Sequence, residues 1–227
     1  MISVVEILDM FFTVVLIALS IFGTVKLFKK KEPLYFKMVV CAGWCLVAQL
    51  VYQYCIALCV EYEFATEQSL LTGLGDNAFA AFLFAANFGP MNNLLDNKDK
   101  KSKTISLISV IAPVFFIVWG VLLCYLCYQL GGDLLSYVVL LVLTTAFMPS
   151  CVYFNLKYLL IPDDGFFVKG IRPVNLCSLL FCFSVFLEMT GPLVGSELLM
   201  DVGFDCELFF GAVSVLAAVW GRKKWHS

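Results

Sequence analysis

The sequence predicts an all-α integral membrane protein, built as a bundle of seven transmembrane helices. Three observations lead to this class. The 227-residue chain is 62% hydrophobic and only 14% charged, with a mean hydropathy of +0.94, whereas a soluble domain carries about a quarter of charged residues. Apolar stretches of about 20 residues, the length that crosses a hydrocarbon core, recur along the chain. The polar breaks between them are short, so we expect residues 1–227 to form a single membrane domain.

The helices follow one another with only brief interruptions. They are predicted at residues 6–28, 35–60, 70–93, 104–130, 134–159, 173–194 and 199–220. The first carries Glu6 and Asp9 near its start and no preceding Lys or Arg, unlike the basic leader of a cleaved signal peptide. We therefore interpret it as the first permanent helix.

The breaks alternate in charge, and this alternation predicts the topology. The fifteen Lys and Arg residues lie around the breaks after helices one, three and five and on the C-terminal tail: Lys26, Lys29, Lys30, Lys31, Lys37, Lys98, Lys100, Lys101, Lys103, Lys157, Lys169, Arg172, Arg222, Lys223 and Lys224. Acidic residues follow helices two, four and six: Glu61, Glu63, Glu67, Asp133, Glu197 and Asp201. Because cytoplasmic loops carry the excess of Lys and Arg, the N-terminus is predicted outside and the C-terminus inside. A count of six or eight helices would put a basic cluster on the wrong side.

The same topology permits an internal 3+1+3 parallel repeat, with helix four as the inverting linker. The stretch VVLIAL in helix one matches VVLLVL in helix five, and DNAFAAFLFAANFG in helix three resembles DCELFFGAVSVLAAVWG in helix seven across a three-residue gap. Chains rich in Ala, Val, Leu and Phe produce such matches by chance. A true repeat and a chance likeness are therefore both open.

Carboxylates inside predicted helices are the strongest functional signal, because an ionisable group at the bilayer centre costs about 2.5–3.5 kcal/mol. Asp76, Glu188, Asp205 and Glu207 are all predicted about 9–12 Å below the outer helix ends. No Lys or Arg lies in the outer half to pair with them. They are predicted either to share protons or to line a hydrated vestibule that attracts cations.

A structural interpretation competes with this one. Asp76 would also suit the start of helix three, where a carboxylate caps the helix and complements its dipole, and Asp205 could simply end a helix. Glu188 differs because Pro192, four residues later, cannot donate the helical hydrogen bond back to it. Interrupted helices beside carboxylates are common in membrane binding sites, so Glu188 is the best single candidate.

Amide side chains extend the candidate site. Asn77 is next to Asp76, while Gln49 in helix two and Asn87 in helix three lie deeper. These groups could continue a polar path from the carboxylates towards the inside. Alternatively, they only hold transmembrane helices together by hydrogen bonds.

Ten cysteines form a second set of candidates. Cys55 and Cys59 share a face of helix two, and Cys124 and Cys127 form the stretch CYLC in helix four. Such pairs suit a thiol–disulfide relay or a soft metal ion of unknown identity, but buried cysteines also serve as small hydrophobes. The single histidine, His226, excludes sites built from several histidines.

Two short motifs resemble a known enzyme family. KEPL at 31–34 and GLGD at 73–76 look like the KPL and GD signatures of the lysoplasmalogenases, membrane hydrolases thought to use paired aspartates. The resemblance implies an intramembrane hydrolase with Asp76 among its acids. That family has eight spans, and its SD pair has no counterpart because Ser184 is followed by Val185. The layout alone is also similar to that of the SWEET sugar transporters and the rhodopsins, although helix seven has no Schiff-base lysine.

These observations favour a transporter or channel for a small polar or cationic solute, or for protons, over two alternatives. One is a seven-helix sensor that signals through a partner subunit. The other is a membrane enzyme, either a hydrolase with unassigned catalytic residues or a thiol–disulfide oxidoreductase. We expect contact with membrane lipid, no cofactor, no nucleic-acid partner, and either a homo-oligomer or a partner subunit. The expected location is a plasma membrane, that of a bacterium in particular.

Overall fold

The computed structural model describes the helices and the shorter connections of this protein. The described residues are 4–28, 32–61, 72–87, 103–131, 134–160 and 166–225. Within them every regular element is a helix. This confirms the prediction of an all-helical protein.

Seven helices follow one another in the described part of the chain. They are α1 (Val4–Leu27), α2 (Leu34–Glu61), α3 (Thr72–Ala86), α4 (Lys103–Gln129), α5 (Leu134–Val142, Leu143–Phe147 and Met148–Leu160 in succession), α6 (Phe166–Val194) and α7 (Glu197–Trp225). Six of them, all except α3, are long and apolar enough to cross a membrane. The chain is therefore a multi-pass membrane protein.

Two helices differ in length from the sequence-based prediction. Helix α6 begins at Phe166 instead of residue 173, because Pro173 is accommodated inside the helix and does not start it. The described part of α3 has 15 residues, about 22 Å of helix, which is short of a hydrocarbon core of about 30 Å. The predicted continuation of this helix to residue 93 lies outside the described residues.

Helix α3 is enclosed by the bundle, packing against α2, α5 and α6. Its inward face presents the buried residues Asp76, Phe79, Ala80, Leu83 and Asn87. Helices α1 and α4 are peripheral, and their apolar side chains are largely exposed. Exposed apolar surface on a membrane protein is the surface that lipid covers, so the enclosed helix α3 is shielded from lipid by its neighbours.

Helices α6 and α7 form a tightly packed antiparallel hairpin. A Cβ atom added at Gly203 would overlap the backbone of Glu188, and one added at Gly191 would lie 2.5 Å from the backbone nitrogen of Met200. Small residues let transmembrane backbones approach this closely. Gly195 makes the turn between the helices with a φ of 71°, a left-handed conformation that suits glycine.

Helix α5 contains a π-helical turn at Leu143–Phe147. Pro149 lacks the N–H that would bond to the carbonyl of Thr145, and the N–H of Met148 reaches back to the carbonyl of Leu143 instead. Such turns insert one extra residue into the ladder of hydrogen bonds. Pro149 is thus accommodated by a π-turn that leaves α5 continuous.

One end of the bundle, here named the basic end, is where α1 and α7 finish and α2 and α6 begin. The Arg222 guanidinium lies 2.9 Å from a Glu32 carboxylate oxygen, and a Cβ at Gly170 would lie 3.2 Å from the carbonyl oxygen of Gly221. Lys26 occupies the last turn of α1 at the same end. The opposite end, here named the acidic end, carries the α6–α7 turn with Glu197.

Candidate functional site

Asp76 is buried in α3 and held by the side chain of Gln49 from α2. The Gln49 Nε2 donates to Asp76 Oδ1 at 2.9 Å, and the Gln49 Oε1 accepts from the backbone N–H of Asp76 at 3.0 Å. Gly75 makes this approach feasible, since a Cβ there would overlap the Gln49 side chain. Asp76 lies past the first turn of α3 and bonds to another helix, so it is not a helix cap.

Two further carboxyl groups join Asp76 from the α6–α7 hairpin. The Glu207 carboxyl lies within hydrogen-bonding reach of both the Asp76 carboxyl and the Glu188 carboxyl. Glu207 is only 1% exposed and Asp76 4% exposed, while Glu188 is partly buried. We name Asp76, Glu188 and Glu207 the carboxyl cluster. Three separate helices contribute its three acids.

Among the described residues, the side chains that act on the three acids are Gln49 and the acids themselves, and none of these is basic. In the sequence, Lys and Arg are absent from 38–97, 104–156 and 173–221, the stretches that carry Gln49 and the three acids. An ionised carboxylate can only accept hydrogen bonds, so two carboxyls in contact need a proton between them. Burying carboxylates without a partner is costly unless they are neutralised. The arrangement is therefore chemically suited to hold protons or a small cation.

The sequence-predicted acids do not all meet in this cluster. Asp205 is two residues from Glu207 and about 200° around α7. It shares its face with Phe209, whose ring packs 5.6 Å from that of Phe12 in α1. Asp205 therefore faces α1 and is separate from the carboxyl cluster. The side chain of Asn77 lies outside the described part.

An apolar layer adjoins the cluster on the side of the basic end. The fully buried rings of Phe79 and Phe181 lie 4.1 Å apart between centroids. Leu46 is buried on α2 one turn from Gln49, and a Cβ at Gly211 would lie 2.7 Å from a Leu46 methyl. Rings and methyl groups offer no hydrogen bonds, so this layer separates the carboxyl cluster from the deeper polar groups.

Asn87 belongs to a second polar group beyond that layer. Its Nδ2 donates to Asn155 Oδ1 at 2.8 Å, and its backbone carbonyl accepts from the Tyr158 hydroxyl at 3.1 Å. Asn155 in turn donates to the sulfur of Cys151 at 3.1 Å. We name Asn87, Asn155 and Tyr158 the amide cluster. The contact between Asn87 and Asn155 could not be predicted, because nothing in the sequence brings α3 next to α5.

The structure describes the side chains of three of the four cysteines in the predicted pairs. Cys124 is buried with its sulfur 4.0 Å from the Thr144 hydroxyl, and Cys55 is exposed on α2. The side chain of Cys59 lies outside the described residues. Cys127 follows one turn after Cys124 on α4 and is half-buried, so a thiol role for that pair stays a prediction.

A different thiol pair is brought together by the fold. The thiols of Cys151 in α5 and Cys182 in α6 are in hydrogen-bonding contact, and both are fully buried. The two residues are 31 positions apart in the sequence, so sequence spacing gives no signal for this contact. Among the described residues no group of three or more His, Cys, Asp or Glu side chains is arranged so that it could hold a metal ion.

The prolines also differ from expectation. Helix α6 continues through Pro192 to Val194, so the helix beside Glu188 is not broken. The missing proline N–H still leaves the Glu188 carbonyl without its usual helical partner. Helix α4 likewise continues through Pro113.

Comparison with known proteins gives no relative for this chain: no protein-family model, no curated protein and no solved structure matches it.

Proposed function

We propose that this protein is a membrane transporter or channel for a small polar or cationic solute, and that its carboxyl cluster exchanges protons or binds a cation during transport. The observation that carries the proposal is the meeting of Asp76, Glu188 and Glu207 in the bundle interior, with no basic partner among the described residues. In a purely structural contact, buried acids would be neutralised by basic side chains of the protein itself. These three acids instead require a proton or a cation from solution.

The position of the cluster supports a transport role. Asp76 lies about 6 Å along α3 from Thr72, and Glu188 about 9 Å before the end of α6, so both are near the acidic end. Intramembrane acids that face a bundle interior typically mark ion or proton pathways. Gln49 holds Asp76 in this position by two hydrogen bonds, and Glu207 lies within hydrogen-bonding reach of the other two acids.

We further infer seven spans, with α3 as the third, an outer N-terminus and a cytoplasmic C-terminus in a plasma membrane. The support is the segregation of charge, since the described basic residues belong to the basic end. In this topology the carboxyl cluster faces the outside. The 3+1+3 repeat, a homo-oligomer and a partner subunit stay predictions.

Proton flux into liposomes tests the proposal. Purified protein is reconstituted with a pH-sensitive dye inside, and a pH gradient is applied across the membrane. We expect proton entry that is lost in Asp76→Asn and in Glu188→Gln, because each amide removes an ionisable group from the cluster. If both variants conduct protons like the wild type, the carboxylate mechanism is wrong.

A hydrolase is the second candidate, favoured by the contact between two carboxyls in a protected position. One carboxyl of such a pair can act as general acid while the other acts as general base. Incubating the purified protein with lysophospholipid and lysoplasmalogen substrates separates the two functions. Hydrolysis that disappears in Asp76→Asn would favour the enzyme, whereas intact lipid together with proton flux favours the transporter.

A further inference from the structure

Asn175 in α6 is a buried amide that no other group in the described part of the chain satisfies. It is 0% exposed, and neither its Oδ1 nor its Nδ2 has a hydrogen-bond partner among the described residues. Buried amides are nearly always hydrogen-bonded, since burial without a partner is costly. The Oδ1 of Asn87 is also buried and has no partner in the same part of the chain. These two side chains together offer two acceptor oxygens and one donor nitrogen.

Helix register puts Asn175 beside the amide cluster. Asn175 lies seven residues before Cys182, which is two turns along the same face of α6. Cys182 contacts Cys151 of α5, and α5 and α6 run antiparallel. The residue seven positions after Cys151 is Tyr158, whose hydroxyl bonds to Asn87. Asn175 therefore faces the part of α5 that already holds the amide cluster.

The chemistry of this region differs from that of the carboxyl cluster. Its polar groups are amides, a phenol and thiols, none of which carries a charge at neutral pH in its ordinary state. A bare cation prefers a shell of oxygen ligands that includes carboxylates. A mixture of unpaired donors and acceptors instead suits a small uncharged molecule that both donates and accepts hydrogen bonds.

We propose that Asn175, Asn87 and the adjoining amide cluster form a binding site for a small uncharged polar solute of the polyol or amide class. This proposal rests on the proposed transport function and deepens it by naming the class of solute. The carboxyl cluster then handles the coupled proton, and the amide cluster handles the solute.

The two sites are arranged in sequence along one helix. Asp76 and Asn87 are eleven residues apart on the same face of α3, a separation of about 16 Å. The Phe79 and Phe181 rings lie between them and belong to neither site. A solute that moved between the clusters would have to displace this ring pair, which makes the pair the barrier of the pathway.

Liposome uptake of three probes tests the solute site. Glycerol, erythritol and urea are each added to proteoliposomes that contain a pH dye, and swelling and internal pH are recorded together. We expect the wild type to admit at least one probe together with protons. In Asn175→Leu this uptake should fall by about tenfold, the factor for losing a hydrogen bond of about 1.4 kcal/mol, while proton entry driven by a pH gradient alone should remain.

Thermal unfolding gives a readout that does not depend on the choice of probe. Asn175→Leu replaces two unsatisfied polar atoms by a side chain of similar shape, so the midpoint temperature should rise. Asn155→Leu removes hydrogen bonds that are made to Asn87 and Cys151, so its midpoint should fall. A structural role for Asn175 would instead make both variants less stable.

The outcomes separate this inference from the proposed function. If none of the three probes distinguishes the wild type from Asn175→Leu, or if Asn175→Leu lowers the midpoint as much as Asn155→Leu does, the solute site is refuted. The proposed function still stands in that case, provided that Asp76→Asn abolishes proton entry. If Asp76→Asn has no effect either, both proposals fail.

Discussion

Gln49 shows how a single amide can position an acid inside an apolar bundle. It binds the side chain of Asp76 with its nitrogen and the backbone N–H with its oxygen. Both bonds come from α2, so the position of Asp76 depends on the packing of two helices and not on local capping. The absence of a side chain at Gly75 lets Gln49 approach this closely.

Replacing Gln49 by Leu should destabilise the protein by about 1–3 kcal/mol, because the buried Asp76 would lose a hydrogen-bond donor and its N–H would lose an acceptor. Thermal or chemical unfolding in detergent measures the change. Gln53→Leu, one turn away on α2, is the matched control and should cost less. Equal effects of the two substitutions would show that the hydrogen bonds of Gln49 to Asp76 make no specific contribution to stability.

We expect the stability of the protein to depend strongly on the ion pair between Glu32 and Arg222. The Glu32 side chain is fully buried and Arg222 lies 2.9 Å away. Removing one partner of a buried pair leaves the remaining charge with less compensation, at a cost of up to about 3–5 kcal/mol. We therefore expect Arg222→Gln to unfold far more easily than Glu32→Gln/Arg222→Gln, in which both charges are gone. A double variant no more stable than Arg222→Gln would contradict this.

At the level of helices, the α6–α7 hairpin determines where the acids of the cluster lie. Gly203 is four residues before Glu207, and it brings the α7 backbone against that of Glu188. Any side chain at this point would separate the two helices and thereby the carboxyls of Glu188 and Glu207. A glycine can thus be as important to the cluster as the acids themselves.

Gly203→Ala should cost about 1–3 kcal/mol through overpacking and should also reduce proton flux, since the new methyl group meets backbone that cannot rotate away. Gly23→Ala is the control, because its methyl group would meet mainly a Val40 methyl, 2.8 Å away at the end of a side chain. Unfolding midpoints and liposome flux measured on both variants test this. Full flux in Gly203→Ala would mean that the close approach of α6 and α7 is dispensable.

The helices can be predicted from the sequence because each is a long apolar stretch that ends at charged residues, glycine or proline. The exceptions have physical causes. The sequence predicts that α6 starts at Pro173, yet this proline is the eighth residue of the helix, and its missing N–H removes one helical hydrogen bond without ending the helix. The π-turn before Pro149 is a local adjustment of backbone bonds that apolar periodicity does not reveal.

At the scale of the whole molecule, hydropathy predicts that helices exist but not which of them touch. The candidate site illustrates this difference. Asp76, Glu188 and Glu207 were singled out individually from their cost in lipid, and the fold brings them together. The separation of Asp205 from them depends on how α7 is rotated against α1, and the contact between Cys151 and Cys182 depends on the register of α5 and α6. Neither quantity is encoded in any local stretch.

Reporter fusions test the predicted topology in a bacterial host. Alkaline phosphatase, which is active only outside the cytoplasm, should be active when joined after residue 131 and inactive when joined after residue 225. Green fluorescent protein should show the reverse. We expect this result because the connections that are rich in Lys and Arg stay in the cytoplasm. Phosphatase activity at the C-terminus would show that the orientation is the reverse of the predicted one and that the carboxyl cluster lies near the inner surface.

The most direct test of the carboxyl cluster compares two acids of α7 that are two residues apart. Glu207→Gln removes the ionisable group that contacts both Asp76 and Glu188, whereas Asp205→Asn makes the same chemical change on the face towards α1. Proton flux into liposomes is measured for both variants at matched protein content. We predict that Glu207→Gln abolishes flux and Asp205→Asn retains it; equal flux in the two variants would contradict a transport role for the cluster.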